Sequence, residues 1–591
     1  MKFPGSKILL VRLLRRLGLS EAWLARMSRM LRPGYRKNEE AIIADYEALR
    51  DHLGGGLPPV TARPGGPRTM MISLYDEFYF LKVDMVFARA LMLAGHDVTV
   101  VKSARSRHVE RYFRLLGITK FITIEEYEKP SGRHSAGFME CAALCPPFTF
   151  ASLIAFKVAH FNLGEHILST LLAMFRIGHL DLNSLACRNF VQSWLDVLPT
   201  RMAAVRRIFD DVRPDNFILN EKGYLPNALF WDEALHRKVN FIQWHPAQET
   251  NTIVLKKYTH ADRKHHPLSL SEQSWSRLKG KVWTKALDRS LAEMFRQRYE
   301  KNDWYNRNVY RAPAPIISAD DVRRKLNLDN SKKTVVVFSH ILWDATFFFG
   351  ENIFQDYEVW LLETIKGACA NPNLNWIIKL HPDYTWKLAR VGGTLDEPDI
   401  LKREFGELPP HVQLMLPDSP INTYSLFQVA DYCVTVRGTA GIEMACFGKP
   451  VLTAGTGRYF GLGFTLDSRS AEEYRGRLAG LHNEPPLDMG RTILARRFAY
   501  ALYKLRPFRH TSFSSRVNEQ NGPGHPLFLN YEYHFRNAEE FAGSLDLIGF
   551  ADWFDRHDQP DFLLDWPDDP AALQTSSLRM PWDCDGAGGK V

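Results

Sequence analysis

The sequence has no Cys-x-x-Cys pair, no apolar run long enough to cross a bilayer, no convincing Asp-x-Asp after a strand, and a single acid in its first 37 residues. Each gap excludes something. The seven cysteines, at 141, 145, 187, 369, 433, 446 and 584, are odd in number and read as reduced cytoplasmic thiols rather than a disulfide framework. Cys141 and Cys145 could share a helix face, but no His pair stands nearby to make a metal site. The nearest approach to a membrane span, Cys141 to Phe156, contains Pro146-Pro147 and stops at Lys157, short of the roughly 18 residues required. The expectation is a soluble or peripheral protein. Asp583-Cys584-Asp585 lies in a loose tail, so no metal and no cofactor are expected.

What is present is globular. At 591 residues the chain exceeds one ordinary core, and 45% apolar with 24% charged residues exclude wholesale disorder. The net charge of +8 is concentrated at one end: residues 1–37 hold ten Lys or Arg against Glu21, leaving the other 554 residues at −1. A nearly neutral body argues against a nucleic-acid partner. The stretch KILLVRLLRRLGLSEAWLARMSRMLR interleaves apolar residues with Arg. As a helix it would either lie on an anionic membrane surface or pack its Leu face on the body. It is not a signal peptide, because Arg12 ends the apolar run Ile8 to Val11 after four residues.

The organisation expected from the patterns is a basic amphipathic segment over 1–50, a Gly- and Pro-rich linker over 51–68, a Rossmann-like lobe over 69–330 with a helical insertion, and a second Rossmann-like lobe over 331–485. A helical extension over 486–570 and a flexible tail over 571–591 complete it. In the first lobe TMMISLY, DVTVVKS, KFITIEE, DNFILN and VNFIQW read as strands separated by helical spacings, while 138–210 reads as helix. Residues 255–330 carry a mixed, charged pattern with no assignment. In the second lobe TVVVFS, NWIIKL, VQLMLP, DYCVTV and VLTAG read as strands. The fold class is therefore α/β, with parallel sheets covered by helices and a cleft between two lobes.

Three stretches could carry chemistry. In RGTAGIEMACFGKP, Arg437 to Pro450, a helix opening near Thr439 presents amides to an anion, and Gly438 and Gly441 admit the ligand to the backbone beside Ala440. Thr439 could cap or bond a phosphate oxygen, and Glu443, one turn on, could accept from two ribose hydroxyls; the alternative is an ordinary βαβ turn. His381 ends the run IIKLHP beside Lys379, at a strand end where ligands of open sheets gather, or is simply a loop residue. Ser339 and His340 end the lobe's first strand and face the same edge; Trp343 and Asp344 beyond them belong to the same stretch or simply cap the following helix.

The ordered runs LWDATFFFGENIF, IIKLHP, INTYSLFQVADYCVTVRGTAGIEMACFGKPVLTAG and RYFGLGFTLDSRSAEEY resemble the C-terminal half of bacterial capsule and surface-polysaccharide glycosyltransferases of the capsule-synthesis type, over about 334–480. In the first lobe EKGYLPNALFWDEALHRKVNFIQWHP resembles that family's Gly-x-Tyr-x-Pro stretch. The resemblance implies two Rossmann-like lobes in the GT-B arrangement. It implies phosphate binding by His381 and contacts from Thr439 and Glu443 to phosphate and ribose. Relatives often have Tyr-x-Ser-Thr before the Gly; here Val436-Arg437-Gly438-Thr439 stands, so Arg437 adds a cation to the phosphate site or changes the nucleotide that fits.

Arg458, Tyr459 and Gly461 fall where a donor sugar would lie, or form a rigid surface loop. For an acceptor base, Glu221, Asp76 and Glu77 follow strands and could equally be helix-capping acids. His245-Pro246 reads as a turn. The expected function is a glycosyltransferase using a nucleotide sugar and a glycan or glycolipid acceptor, at the inner face of the cytoplasmic membrane through residues 1–37. Alternatives are a teichoic-acid-type polyol-phosphate transferase, a sugar-nucleotide epimerase, and a non-catalytic glycan-binding scaffold.

Overall fold

The computed structural model describes residues 35–128, 136–144, 146–301, 314–382, 397–518, 520–522 and 524–567. All but the last three positions of the basic stretch 1–37 lie outside these, as does the tail 571–591. Among the described residues no helix is long and apolar enough to cross a membrane.

The first lobe is built on β1 (Arg68–Ser73), β2 (Asp97–Lys102), β3 (Phe121–Thr123), β4 (Asn216–Leu219), β5 (Asn240–Pro246) and β6 (Thr252–Tyr258). The first five run parallel and β6 returns antiparallel to β5. Alternate side chains enter opposite cores, as a sheet covered on both faces requires. Met70 and Ile72 meet the helices Leu163–Phe175 and Leu185–Val212 on one face, while Met71 faces the other.

The second lobe is an all-parallel sheet of β7 (Lys333–Phe338), β8 (Leu374–Lys379), β9 (Val412–Met415), β10 (Tyr432–Thr435), β11 (Val451–Thr453) and β12 (Leu466–Asp467). Their order is β12-β11-β10-β7-β8-β9. In β7, Val335 and Val337 enter one core and Val336 the other. The chain runs outward from β7 to β9, then crosses back to β10 on β7's other side. That reversal leaves a crevice at the carboxyl ends of β7 and β10, the place where open α/β sheets bind ligands.

Two expectations are corrected. Residues 486–567 are not a helical extension of one lobe. The helix Met489–Tyr500 packs in the second lobe, and the chain then crosses back to supply β13 (Phe508–Arg509), antiparallel to β6. The hairpin of β14 (Phe513–Val517) and β15 (Leu529–Tyr533) and the helix Leu545–Asp555 then pack over the helix Phe78–Leu93 of the first lobe. This fold-back forms because the helix Phe78–Leu93, which covers β1 and β2, is apolar on its outer side as well, and remote residues such as Phe550, stacked 4.0 Å from Phe87, bury that side.

The second correction concerns 51–68, which is no free linker. Leu53 and Leu57 are buried, the Leu57 N–H donates to the Leu115 carbonyl at 2.7 Å, and Arg89 Nη1 donates to the Pro58 carbonyl at 2.5 Å. The helix Tyr35–His52 before it buries Ile42 and Leu49 on the first lobe and pairs Asp45 with Lys82 at 2.9 Å. Cys433 and Cys446 are buried, as their apolar elements imply, and burial pushes both thiols up.

Candidate active site

The three strand ends β10, β7 and β8 stand side by side, because Val434 pairs with Val337 and Phe338 with Lys379. The residues just beyond them therefore share one edge. Here lies a cavity of about 220 Å³. Ser339 and His340 enter it from β7, Lys379 and His381 from β8, and Gly438, Thr439 and Ala440 from the start of the helix Thr439–Cys446. Arg458 closes another side, and Arg298 and Tyr299 close a third. None of the described lining residues is an Asp or Glu, so the cavity offers cations, imidazoles and a helix N-terminus. Such a surface suits an anion.

Of the residues singled out from sequence, His340, Lys379, His381, Gly438, Thr439, Ala440 and Arg458 line this cavity. Burial holds the His340 imidazole far below its usual range, with the charges of His381, Arg437 and Arg458 adding to the effect. Neutral at physiological pH, it sits with Nε2 3.4 Å from the Arg437 amide and from Thr435 Oγ1. Gly438 is small for a reason of space, since a Cβ there would meet Thr435 Oγ1 at 2.9 Å.

Four expectations at this turn are corrected. Gly441 does not open the backbone to a ligand: its N–H donates to the Gly438 carbonyl at 3.1 Å, and a Cβ on it would fall 2.2 Å from Tyr459 Oη. Tyr459 needs that space because its hydroxyl donates to the Gly438 carbonyl at 2.8 Å, bracing the turn from behind rather than meeting a sugar. Arg437 turns away from the cavity. Its Nη2 donates to the Glu351 carbonyl at 3.2 Å and to Asn352 Oδ1, and its guanidinium lies 5.6 Å over the Tyr357 ring.

Glu443 is fully buried and does not line the cavity. Its Oε1 accepts from Arg298 Nη1 and from Tyr503 Oη, the latter at 3.2 Å, and its Oε2 accepts from Tyr299 Oη. The carboxylate thus holds Arg298 and Tyr299 in the cavity wall instead of facing ribose itself. Sequence reasoning missed both partners. They end the helix Lys285–Lys301, in the charged stretch left unassigned, and nothing local marks them as facing a residue so distant in the chain.

On the first lobe, Asp76 is corrected from candidate base to structural brace: Oδ2 accepts from the Arg107 amide at 3.0 Å and Oδ1 from the His108 amide at 2.9 Å, at the start of the helix Val109–Leu115. His245-Pro246 is strand, not turn, paired with Val254 and Ile253. Glu221 follows β4 into the cleft. The Gly223 amide donates to its Oε1 at 3.2 Å. Burial pushes its carboxyl up to about 7, with Asp344 of the second lobe adding to the rise against the Gly223 amide. A carboxyl of that strength exchanges protons at neutral pH.

The lobes touch beside this residue. Arg458 Nη2 lies 2.9 Å from Nε2 of His266, which burial keeps neutral.

Residues 293–482 match the model of a family described as capsule polysaccharide biosynthesis protein. The second lobe is thus similar to a capsule polysaccharide biosynthesis domain. The match covers about a third of the chain, opening inside the helix that carries Arg298 and Tyr299 and closing after β12, so it takes in every second-lobe residue of the cavity. No curated protein matches the chain. Similar solved structures include Thermosulfurimonas dismutans KpsC, a beta Kdo 2,4 transferase, at 13% identity over 57% of this chain and 86% of that one, with TM-score 0.31. Its beta Kdo 2,7 transferase matches at 14% identity over 59% and 89%, with TM-score 0.29. UDP-GlcNAc 2-epimerase from Neisseria meningitidis matches at 10% over 73% and 95%, with TM-score 0.24. At such TM-scores these overlaps carry no weight on their own.

Proposed function

We propose that this protein is a glycosyltransferase that moves a sugar from a nucleotide donor, held in the second lobe, to a hydroxyl of a capsule glycan or glycolipid held by the first. The carrying observation is the carboxylate-free cavity at the switch point of a capsule-synthesis domain, where Lys379, His381, Arg458 and the amides opening the helix at Thr439 converge. Negative charge develops on the donor's phosphate oxygen as its bond to the sugar breaks, and preorganised donors stabilise that charge most.

In this reading the acceptor oxygen bonds to the anomeric carbon as the carbon–oxygen bond to phosphate breaks. The electron pair leaves on phosphate, and the acceptor's proton passes to the Glu221 carboxylate. His381 and Thr439 hold the leaving phosphate. The cations at the cavity supply the neutralisation that a metal would otherwise give, so the reaction is metal-independent and survives a chelator. Residues 1–37 hold the enzyme to anionic lipid on the cytoplasmic side; deleting them releases it from anionic vesicles, and unaltered vesicle binding rejects this part.

Thermal unfolding of the full chain against CMP, UDP and GDP tests the donor site, because a ligand at 100 times its Kd stabilises by about 2.7 kcal/mol. One nucleotide raises the midpoint, and His381→Ala abolishes that rise. A midpoint indifferent to all three nucleotides overturns the reading.

A further inference from the structure

Two stretches outside the donor cavity meet across the cleft. From β4 the first lobe runs Glu221-Lys222-Gly223-Tyr224 toward the helix Asn227–His236, and from β7 the second lobe runs through Asp344-Ala345-Thr346-Phe347-Phe348-Phe349. Tyr224 Oη donates to Asp344 Oδ1 at 3.2 Å and accepts from the Ala345 amide at 3.1 Å. The Phe348 ring occupies the space of a side chain at Gly223, where a Cβ would fall 2.1 Å from Cδ1. Tyr224 meets that ring edge-on at 5.1 Å, and Phe349 lies 5.6 Å from the Lys222 ammonium.

We infer that this joint makes Asp344, carried by the donor lobe, a positioning residue that sets the proton affinity of Glu221 on the acceptor lobe. The inference rests on the reading of Glu221 as the base. The groups facing Glu221 are few: Asp344 from the second lobe, Lys222 and Tyr224 in its own turn, and Tyr258 of β6. Lys222 is directed elsewhere, donating to the carbonyls of Arg263 at 2.6 Å and His265 at 3.0 Å. Tyr258 is buried and Tyr224 partly so, and both phenols stay neutral, since desolvation pushes them up. Asp344 is the negative neighbour, and the aromatic wedge that carries it also packs over Gly223 and lowers the exposure of the Glu221 turn to water. Both effects favour the protonated carboxyl, and both depend on the donor lobe being seated. A lobe drawn back would leave Glu221 an ordinary, weaker base.

Isotope-edited infrared titration of the full chain, taken as wild type minus Glu221→Gln, reads the Glu221 carboxyl directly and needs no substrate. Asp344→Asn, nearly isosteric, is expected to lower its midpoint by about one pH unit while thermal unfolding stays cooperative. Phe348→Leu, which thins the seal over Gly223, lowers it too and decides the matter alone if the Asn variant fails to fold. A midpoint unmoved in a folded variant overturns the inference. The base reading fails separately, if Glu221→Gln leaves turnover of the nucleotide sugar intact while the Asp344 shift persists.

Discussion

Arg298 and Glu443, 145 positions apart in the chain, form an ion pair whose side chains are 9% and 0% exposed. Burial works against the guanidinium, and Glu443 with Tyr299 and Tyr503 outweighs it, holding Arg298 charged. Removing one partner of such a pair leaves an uncompensated buried charge, at a cost of about 3–5 kcal/mol. Glu443→Gln is therefore expected to lower stability in urea unfolding by that order, with nucleotide affinity falling as the wall moves. Unchanged stability would show that the carboxylate is held for a ligand and not for the wall.

His381→Ala and Lys379→Met remove cavity donors without touching that pair. Each charge-assisted hydrogen bond contributes about 1.5–3 kcal/mol, so nucleotide Kd should rise at least about tenfold with the unfolding midpoint nearly unchanged. Arg437→Met should behave oppositely, losing stability first, because its guanidinium ties the β10 turn to Glu351 and Asn352. Calorimetric titration beside thermal unfolding separates the two patterns.

Asp84 offers a test by pH. It is 3% exposed, accepts from Trp244 Nε1 at 2.7 Å, and is pushed up to about 8 by burial. Its folded form keeps a proton that the unfolded chain releases near pH 4, so its contribution to stability falls as pH rises from about 4 to about 8 and then levels. Asp84→Asn keeps an acceptor for Trp244 and removes this loss. The variant should melt higher than wild type at pH 8, by about 2–4 °C, and the advantage should shrink toward pH 5.

Asp561 stands in the opposite regime. Its Oδ1 lies 2.9 Å from Lys256 Nζ and 3.4 Å from Arg506 Nη1, and its Oδ2 accepts from the Ser271 amide at 2.7 Å. Against the upward push of burial, the two cations hold the carboxyl far below the usual range. Its stabilisation is complete above the ordinary Asp range and is lost as pH falls below it. Asp561→Asn strands two cations and should cost about 3–5 kcal/mol at pH 7 in denaturant titration, with a flatter acid limb.

The strands were legible where both faces of the sheet are covered, because TMMIS and TVVVF read as continuous apolar runs. β6 was not, since TIVLKKY carries Lys256 and Lys257, and the groups that let both be buried, Asp561 and the Trp553 and Arg556 carbonyls, lie about 300 residues on. The same distance hid β13 to β15. At the site, His381, Lys379 and Thr439 were legible because a strand end fixes which edge a residue faces. Glu443, Arg437 and Asp76 were the right residue types in the wrong roles: what a carboxylate or guanidinium faces depends on Arg298, Asn352 and the Arg107 amide, which local sequence does not show.

The fold-back of 508–567 onto β6 and the helix Phe78–Leu93 bears on how the protein is made. While the nascent chain emerges, β1 to β6 are made long before the residues that cover Phe87 have been synthesised, so the first lobe waits with an open apolar face until the ribosome has passed residue 555. A fragment ending at 330 would keep that face bare and should aggregate, whereas the same fragment supplied with 508–567 in trans should stay dispersed.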